Sequence, residues 1–345
     1  MQWFGTNSKE IAMLKTRLTT LLGIRYPIMS APMALASGGG LAAAVSAAGA
    51  LGTFGAVNPW GAIGTDYVQE QIRHIRSRTD RPFGVGFITQ AIERAPKNFD
   101  VVLDEGVRVI IFSFADPGPW LIRAKQAGAV TVCQVQSFEA ARKVVAAGAD
   151  VLVAQGNEAG GHTGTMNLLP FLVRLIEAFP RIPVVAAGGV ATGRSLAAVL
   201  AAGADGVLMG TAFLATEEAG EVPNDYKKLI VQTGADDTIY TPVIDIMTLA
   251  LFQGVPFPPG VAVRTYKNTF VQEWHGREQA LRENLDRVLP DYVEARQRRD
   301  FHTAPALMGE STAFIDAIRS VADIVAGICD DAERLLRQRV IELVE

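Results

Sequence analysis

The chain has 345 residues, 49% of them hydrophobic and 20% charged, and 32 basic against 36 acidic side chains give a net charge of −4. That apolar content calls for a large buried core, one big α/β barrel or two ordinary domains, and argues against disorder. With no basic block, nucleic acid and anionic membranes are poor partners, and two cysteines, Cys133 and Cys329, are too few for a disulfide framework or a metal cluster.

The N-terminal 18 residues hold no apolar stretch long enough for a signal sequence, so a cytoplasmic location is expected. Residues 26–65 carry no charge, but Pro, Ser and Gly break the stretch repeatedly. Two short strands with a helix between them fit it better than a membrane span, which needs about 20 consecutive apolar residues. Cys133 reads as a small apolar residue within a strand.

A unit then repeats along the chain: a helical run ends in Gly and an apolar strand follows. It occurs at Gly49, Gly106, Gly128, Gly148 and Gly203. Glycine accepts the left-handed conformation that ends a helix, so the chain turns directly into the next strand. Gly106 and Gly128 lie 22 residues apart, and Gly128 and Gly148 lie 20 apart, the length of one βα unit. The two longer gaps each hold two units. Strands are expected near 27–33, 50–56, 83–89, 108–114, 130–135, 151–156, 184–188 and 206–211. Helices fit between them, including 137–147 with Ser137 as N-cap and 192–202. Eight βα units predict a closed (β/α)8 TIM barrel over 16–216, with an open doubly wound sheet as the alternative.

After Phe213 the rhythm stops. A helical subdomain or lid is expected over 217–300, inserted after strand 8, and amphipathic C-terminal helices over 301–345 pack back on the barrel. The proline-laden FQGVPFPPG at 252–260 is either a loop over the pocket or a joint between two helices, the joint being preferred.

Three glycine clusters sit at expected carboxyl ends of strands. VVAAGGVATG puts Gly188 and Gly189 after strand seven, and VLMGTAF puts Gly210 and Thr211 after strand eight. Glycines let backbone N–H groups approach a phosphate, and barrels commonly build a phosphate site from these two loops. AQGNEAGGHTG leaves strand six with Gln155 at the strand end and His162 in a glycine-rich loop, a seat that suits acid–base chemistry. Glu158 is expected to fix that loop by accepting backbone hydrogen bonds. The other histidines, His74, His275 and His302, lie in charged or helical surroundings. No HExxH, paired-Cys, GxSxG or P-loop motif is present, which leaves the hard chemistry to a cofactor.

With YPIMSAPM in strand one and these three clusters in order, the chain resembles the nitronate monooxygenase family, also called 2-nitropropane dioxygenase. The resemblance runs from about residue 16 to 215, with an echo near Gly309. Flavin-dependent enoyl-acyl-carrier-protein reductases and NADH:quinone reductases share the skeleton. The resemblance implies FMN as cofactor, His162 as the catalytic residue, and Ala31, Pro32, Met33, Gln134, Gln155 and Gly160 lining the flavin. It implies that Gly188, Gly189, Leu208, Met209, Gly210 and Thr211 hold the ribityl phosphate. One departure stands out: Gly86 occupies the place of a flavin-touching Asn after strand three, with Thr89 or a water as substitute.

The implied reaction is oxidation of an alkyl nitronate, or its parent nitroalkane, by O2 to a carbonyl compound and nitrite. The small-molecule substrate and O2 are then the partners, with no metal. An NAD(P)H-dependent reductase of quinones or enoyl thioesters is the alternative, with Arg264 and Lys267 as cationic candidates for a pyridine nucleotide. A non-catalytic flavin- or phosphate-binding protein is the second alternative.

Overall fold

The computed structural model describes residues 14–58 and 63–344, so most of the N-terminal stretch read above lies outside the described residues. Eight parallel strands form one sheet: β1 (Ile28–Ser30), β2 (Gly52–Gly55), β3 (Phe83–Ile88), β4 (Val109–Ser113), β5 (Val130–Val135), β6 (Val151–Gln155), β8 (Val184–Ala187) and β9 (Gly206–Met209). Their order is β1-β9-β8-β6-β5-β4-β3-β2. The seam between the ends closes where Met29 pairs with Leu51, the Ser30 N–H donating to the Leu51 carbonyl at 2.9 Å and the Leu51 N–H to that of Ile28 at 2.9 Å. The sheet is a closed barrel, and every expected strand is present within two residues at either end, except that β1 stops three residues short of the expected 33.

Strand alternation sorts the side chains. Met29, Ile111, Val132, Val153, Val185 and Leu208 point inward and form one buried cluster. Leu18, Leu22 and Ile24 plug the amino end of that cluster from helix Arg17–Leu22 and its exit. Arg17 and Asp205 tie the plug down through an ion pair at 2.7 Å, and Asp205 also accepts from the Val184 N–H. Residues of opposite parity pack outward under the helices, Val85, Phe87 and Phe112 among them, where Phe99 of helix Pro96–Asp104 meets them. Each such side chain, fully buried, contributes roughly 1.5–3 kcal/mol. Cys133 lies in this layer, and burial pushes its thiol up to about 12, so it is an inert apolar residue.

The helix-ending glycines behave as the repeat requires: Gly128 and Gly203 have φ of 78° and 100°. Ser137 caps helix Phe138–Ala146 by accepting from the Ala140 N–H, and Thr192 forms a capping box on helix Gly193–Ala201. The C-terminal helix Val321–Val344 packs against Gly193–Ala201 and Gly39–Ala47, and so takes the eighth place in the outer ring of helices. It fits closely because position 193 has no side chain; a Cβ there would lie 2.5 Å from Asp331 Cβ.

Everything between strand β9 and that last helix is therefore an insertion. Its two ends meet, since Thr216 bridges to Arg319 and the Glu217 N–H donates to the Arg319 carbonyl. The insertion is helical, as expected, and has its own small core around Met247, Phe270, Trp274 and Tyr292. The surprise is a second sheet. Strands β10 (Thr238–Thr241) and β11 (Ala262–Tyr266) pair antiparallel, and β11 pairs in turn with β7 (Gly161–Thr163), in the loop after β6. TIYT and AVRTY are β-branched and aromatic enough to be strands, but their partner in β7 is three residues from a distant glycine-rich loop. Among the described residues no helix is long and apolar enough to cross a membrane.

The barrel's tight seat for β2 gives a test. A Cβ on Gly52 would lie 1.8 Å from the Ala42 carbonyl oxygen, whereas Gly327 on the exposed side of the last helix has nothing within 4 Å. Gly52→Ala is expected to lower unfolding free energy by at least about 1–3 kcal/mol, and Gly327→Ala to raise it by roughly 0.5–1 kcal/mol. Urea midpoints measure both, and equal midpoints for the two variants would contradict the packing described.

Candidate active site

The carboxyl ends of the barrel strands extend the inward-facing rows to a mouth. Ala31 and Met33 stand beside Gly210, whose added Cβ would lie 3.6 Å from Ala31 Cβ and 3.4 Å from Met33 Sδ. The Ala31 N–H donates to the Met209 carbonyl at 2.8 Å. Leu208 tops the inner cluster. Gly188 and Gly189 follow with φ of 112° and 68°, a backbone course that favours glycine. A Cβ at Gly188 would also lie 2.9 Å from the Ala159 nitrogen, so the loop after β6 presses on this turn. Among the described residues, the backbone N–H groups of Gly188, Gly189, Gly210 and Thr211 donate no hydrogen bond. Successive amides of this kind form a concave anion site.

Two side chains expected here are turned elsewhere. Met209 is buried in the outer layer, because strand alternation sends it opposite to Leu208, so only its backbone borders the mouth. The Thr211 hydroxyl accepts from the Gly309 N–H at 3.0 Å.

Gln134, next to last in β5, is only 7% exposed, with its amide unbonded among the described residues. Gln155 is already engaged: its Oε1 accepts from Gln136 at 2.7 Å and its Nε2 donates to the His162 carbonyl at 3.0 Å. Gly160 is required by a crossing chain, since a Cβ would lie 2.4 Å from the Gly309 nitrogen. This accounts for the glycine at 309 as well, whose own Cβ would meet the Glu158 carbonyl at 2.6 Å.

Gly86 has a shape reason too. A Cβ there would lie 2.3 Å from Pro32 Cβ and Cγ, so the proline ring occupies the space that an Asn would need. Just beyond, Thr89 Oγ1 and both polar atoms of the Gln90 side chain are buried without a partner among the described residues. Buried polar groups are nearly always bonded, so such orphans point to an outside partner. Unengaged amides on glycines, the Gln134 amide and this polar cluster suit a ligand with a phosphate and a polar ring, as FMN has.

His162 lies on β7, opposite Val263 of β11. Its Nε2 is 2.7 Å from Asp245 Oδ1, on the first turn of helix Val243–Phe252, and the two side chains are 11% and 17% exposed. Phe257 stacks on the imidazole with centroids 3.5 Å apart and planes at 11°. Phe114 meets both rings edge-on, at 6.1 Å from the imidazole and 4.9 Å from Phe257. Phe114 directly follows β4 and has φ of 78°, a strained backbone for a bulky residue that persists only where surroundings enforce it. The FQGVPFPPG segment thus joins a helix to a strand and lays Phe257 over His162, which corrects its expected role as a joint between helices.

Arg264 braces the loop. It is 7% exposed, its Nε donates to the Asn157 carbonyl at 2.7 Å, its Nη1 to Thr238 Oγ1 at 3.1 Å, and Glu310 pairs with it at 3.1 Å. Burial lowers its pKa from the ordinary value, with Glu310 and Glu158 opposing. A guanidinium so committed is spent on structure, which removes it as a nucleotide clamp, while Lys267 is exposed. Glu158 accepts from the Leu168 N–H at 3.0 Å and so fixes the loop, as expected. His74, His275 and His302 are exposed. Among the described residues no group of three metal-ligating side chains converges. Asp245, Phe114 and Phe257 were not singled out from sequence.

The chain thus combines a closed (β/α)8 barrel, turns after β8 and β9 whose amides donate no hydrogen bond among the described residues, and a histidine in the loop after β6. The nitronate monooxygenase family model matches residues 15–99 and 88–331, and the chain belongs to that family, whose named members are oxidoreductases. A nitronate monooxygenase of Paraburkholderia phytofirmans is 33% identical over 276 residues, 67% of this chain and 74% of that one. A 5-hydroxy-7a-methyl-1-oxo-octahydro-1H-indene-4-carboxyl-CoA dehydrogenase of Mycobacterium tuberculosis is 39% identical over 237 residues, 68% of this chain. The match spans 65% of that dehydrogenase's length. FabK from Thermotoga maritima superposes with a TM-score of 0.82 at 31% identity, over 96% of this chain and 99% of FabK. Nitroalkane oxidase from Streptomyces ansochromogenes gives 0.77 at 30%, over 94% and 99%.

The bracing role of Arg264 is testable. Arg264→Met is expected to lower unfolding free energy by roughly 2–4 kcal/mol, since several charged hydrogen bonds go at once. Chemical denaturation reads this directly; an unchanged midpoint would mean the loop after β6 is held by other contacts.

Proposed function

We propose that the protein uses FMN to oxidise alkyl nitronates, and nitroalkanes that it first deprotonates, with O2 as electron acceptor, giving a carbonyl compound and nitrite. The single observation that carries the reading is the juxtaposition of unengaged amides at Gly188, Gly189, Gly210 and Thr211 with His162 on a loop that touches the same turn. The amides would hold the phosphate, with Ala31, Pro32, Met33, Leu208, Gln134 and Gln155 beside the ring system. Pro32 stands over Gly86, and the Thr89 hydroxyl is a donor in reach of the same end of the barrel. FMN, when bound, supplies the electron transfer from substrate to O2 that no side chain can.

His162 has two tasks. Its neutral ring accepts the α-proton of a nitroalkane, and the protonated ring that results pairs with the nitronate oxygens. Phe257 and Phe114 wall the imidazole with apolar surface, which keeps bulk water from that proton and strengthens its electrostatic contacts. Localisation in the cytoplasm and the absence of membrane or nucleic-acid partners belong to the same proposal.

A reductase or dehydrogenase on this scaffold is the second reading. It is favoured by the identity to the mycobacterial CoA dehydrogenase and by the fit to FabK. Anaerobic mixing with NADH separates the two: rapid flavin bleaching supports the second reading and a stable oxidised spectrum the first.

His162→Asn is expected to cut turnover of neutral nitroalkanes by about 10²–10⁴-fold, the usual worth of a general base, while the purified protein keeps its flavin spectrum. Undiminished turnover would remove His162 from the chemistry.

A further inference from the structure

We propose that Gln136 is a positioning residue for His162: acting through Gln155, it sets the hydrogen-bond polarity that ties the histidine's backbone to the barrel. The proposal rests on the acid–base reading of His162 above and adds to it what holds that residue in place.

A ladder of three hydrogen bonds joins the two limbs of the loop after β6, each between residues seven apart in the chain. Gln155 Nε2 donates to the His162 carbonyl at 3.0 Å, the Thr163 hydroxyl to the Gly156 carbonyl at 2.8 Å, and Asn157 Nδ2 to the Gly164 carbonyl at 2.6 Å. Among the described residues β7 pairs with one strand, β11, and so is an edge of its sheet. The ladder ties β7 back to the barrel, and the Gln155 rung is the one that ends on His162.

Two of the rungs are carboxamides, which have nearly the same shape whichever way they are turned. Packing therefore leaves their orientation open, and the hydrogen-bond partners decide it. The His162 carbonyl only accepts, so Gln155 must turn its Nε2 toward that oxygen and its Oε1 away. The Oε1 then needs a donor, and Gln136 Nε2 supplies it at 2.7 Å. Only with a donor at position 136 are both ends of Gln155 satisfied together. Asn157 is set by the same logic, since Arg264 Nη2 donates to its Oδ1 and leaves its Nδ2 for Gly164.

Burial gives the arrangement its weight. Gln155 and Gln136 are 6% and 7% exposed, so an end left unmatched would lose its protein partner with little water to replace it. Gln136 directly follows β5, and its stem bears on the far end of the ladder as well. A Cβ on Gly164 would lie 2.7 Å from Gln136 Cβ and 3.1 Å from the Gln136 carbonyl oxygen. One residue of the barrel thus touches the first rung through its amide and the third through its stem.

The test compares the wild-type holoenzyme with Gln136→Glu, which keeps the shape of the side chain but offers a carboxylate that only accepts, and with Gln136→Met, which keeps the bulk without a donor. In both variants amide hydrogen exchange is expected to quicken across residues 157–164 and in β11, while strands β3 to β5 keep their protection. The kcat on neutral nitroalkane is expected to fall by about 10–10²-fold with KM changed little, more in Gln136→Glu than in Gln136→Met. In a Gln155→Leu background, Gln136→Met is expected to cost less than twofold more, because the path through Gln155 is already broken. Exchange that quickens throughout the barrel or nowhere, or a full further loss in the Gln155→Leu background, overturns the proposal. If Gln136→Glu fails to fold, Gln136→Met decides by the same readings. If His162→Asn leaves nitroalkane turnover intact, the functional reading fails, whereas exchange across 157–164 still reports on Gln136.

Discussion

Four backbone N–H groups that donate to no acceptor among the described residues, at the ends of two adjacent parallel strands, are the constraint on which the proposed site depends. Backbone donors in a half-buried turn are rarely left unmatched, because each unmet donor costs free energy. Here the closed barrel holds them in place. β8 and β9 are locked side by side in register, with Ala187 opposite Leu208, so the turns that follow them cannot drift apart. Positive φ at Gly188 and Gly189 then turns consecutive amides toward one concave face. A phosphate gives such donors the charge-assisted partner they lack.

The proposed acid–base half of the site comes from elsewhere. The barrel alone would leave His162 on a glycine-rich loop without strand pairing. The insertion between β9 and the last helix turns that loop into a strand by pairing β11 with β7, and Arg264 on β11 reaches across to Asn157 to fix its base. The same insertion delivers Asp245 to the imidazole and Phe257 to its face. The proposed phosphate site thus belongs to the barrel, whereas the setting of the histidine belongs to the insertion. This division fits a family in which related barrels carry the names of a monooxygenase, a CoA dehydrogenase and FabK.

The barrel was legible because its signals are local. A helix that ends in glycine and an apolar run that follows it lie within a few residues of each other, and Ser137 and Thr192 announce their helices in the same way. The glycine turns after β8 and β9 and the seat of His162 were legible for the same reason. Gly86 and Gly160 were visible as glycines, but their reasons were not: one makes room for Pro32 and the other for a chain segment about 150 residues further on. Met209 was placed at the mouth when alternation turns it away, a fact that hinges on a one-residue register. Asp245, Phe114 and Phe257 left no mark in the sequence, since an acid in a helical turn and phenylalanines in apolar runs are common. Only the antiparallel pairing of β11 with β7, strands separated by some 100 residues, brings two of the three to the histidine.

The measurement that bears most directly on the central claim is a parallel titration of the apoprotein with FMN and with riboflavin, followed by flavin fluorescence. Amides that grip a phosphate require FMN to bind more tightly by on the order of 10²-fold or more, about 2.7 kcal/mol. Equal affinity for the two flavins, or no binding of either, would contradict the account.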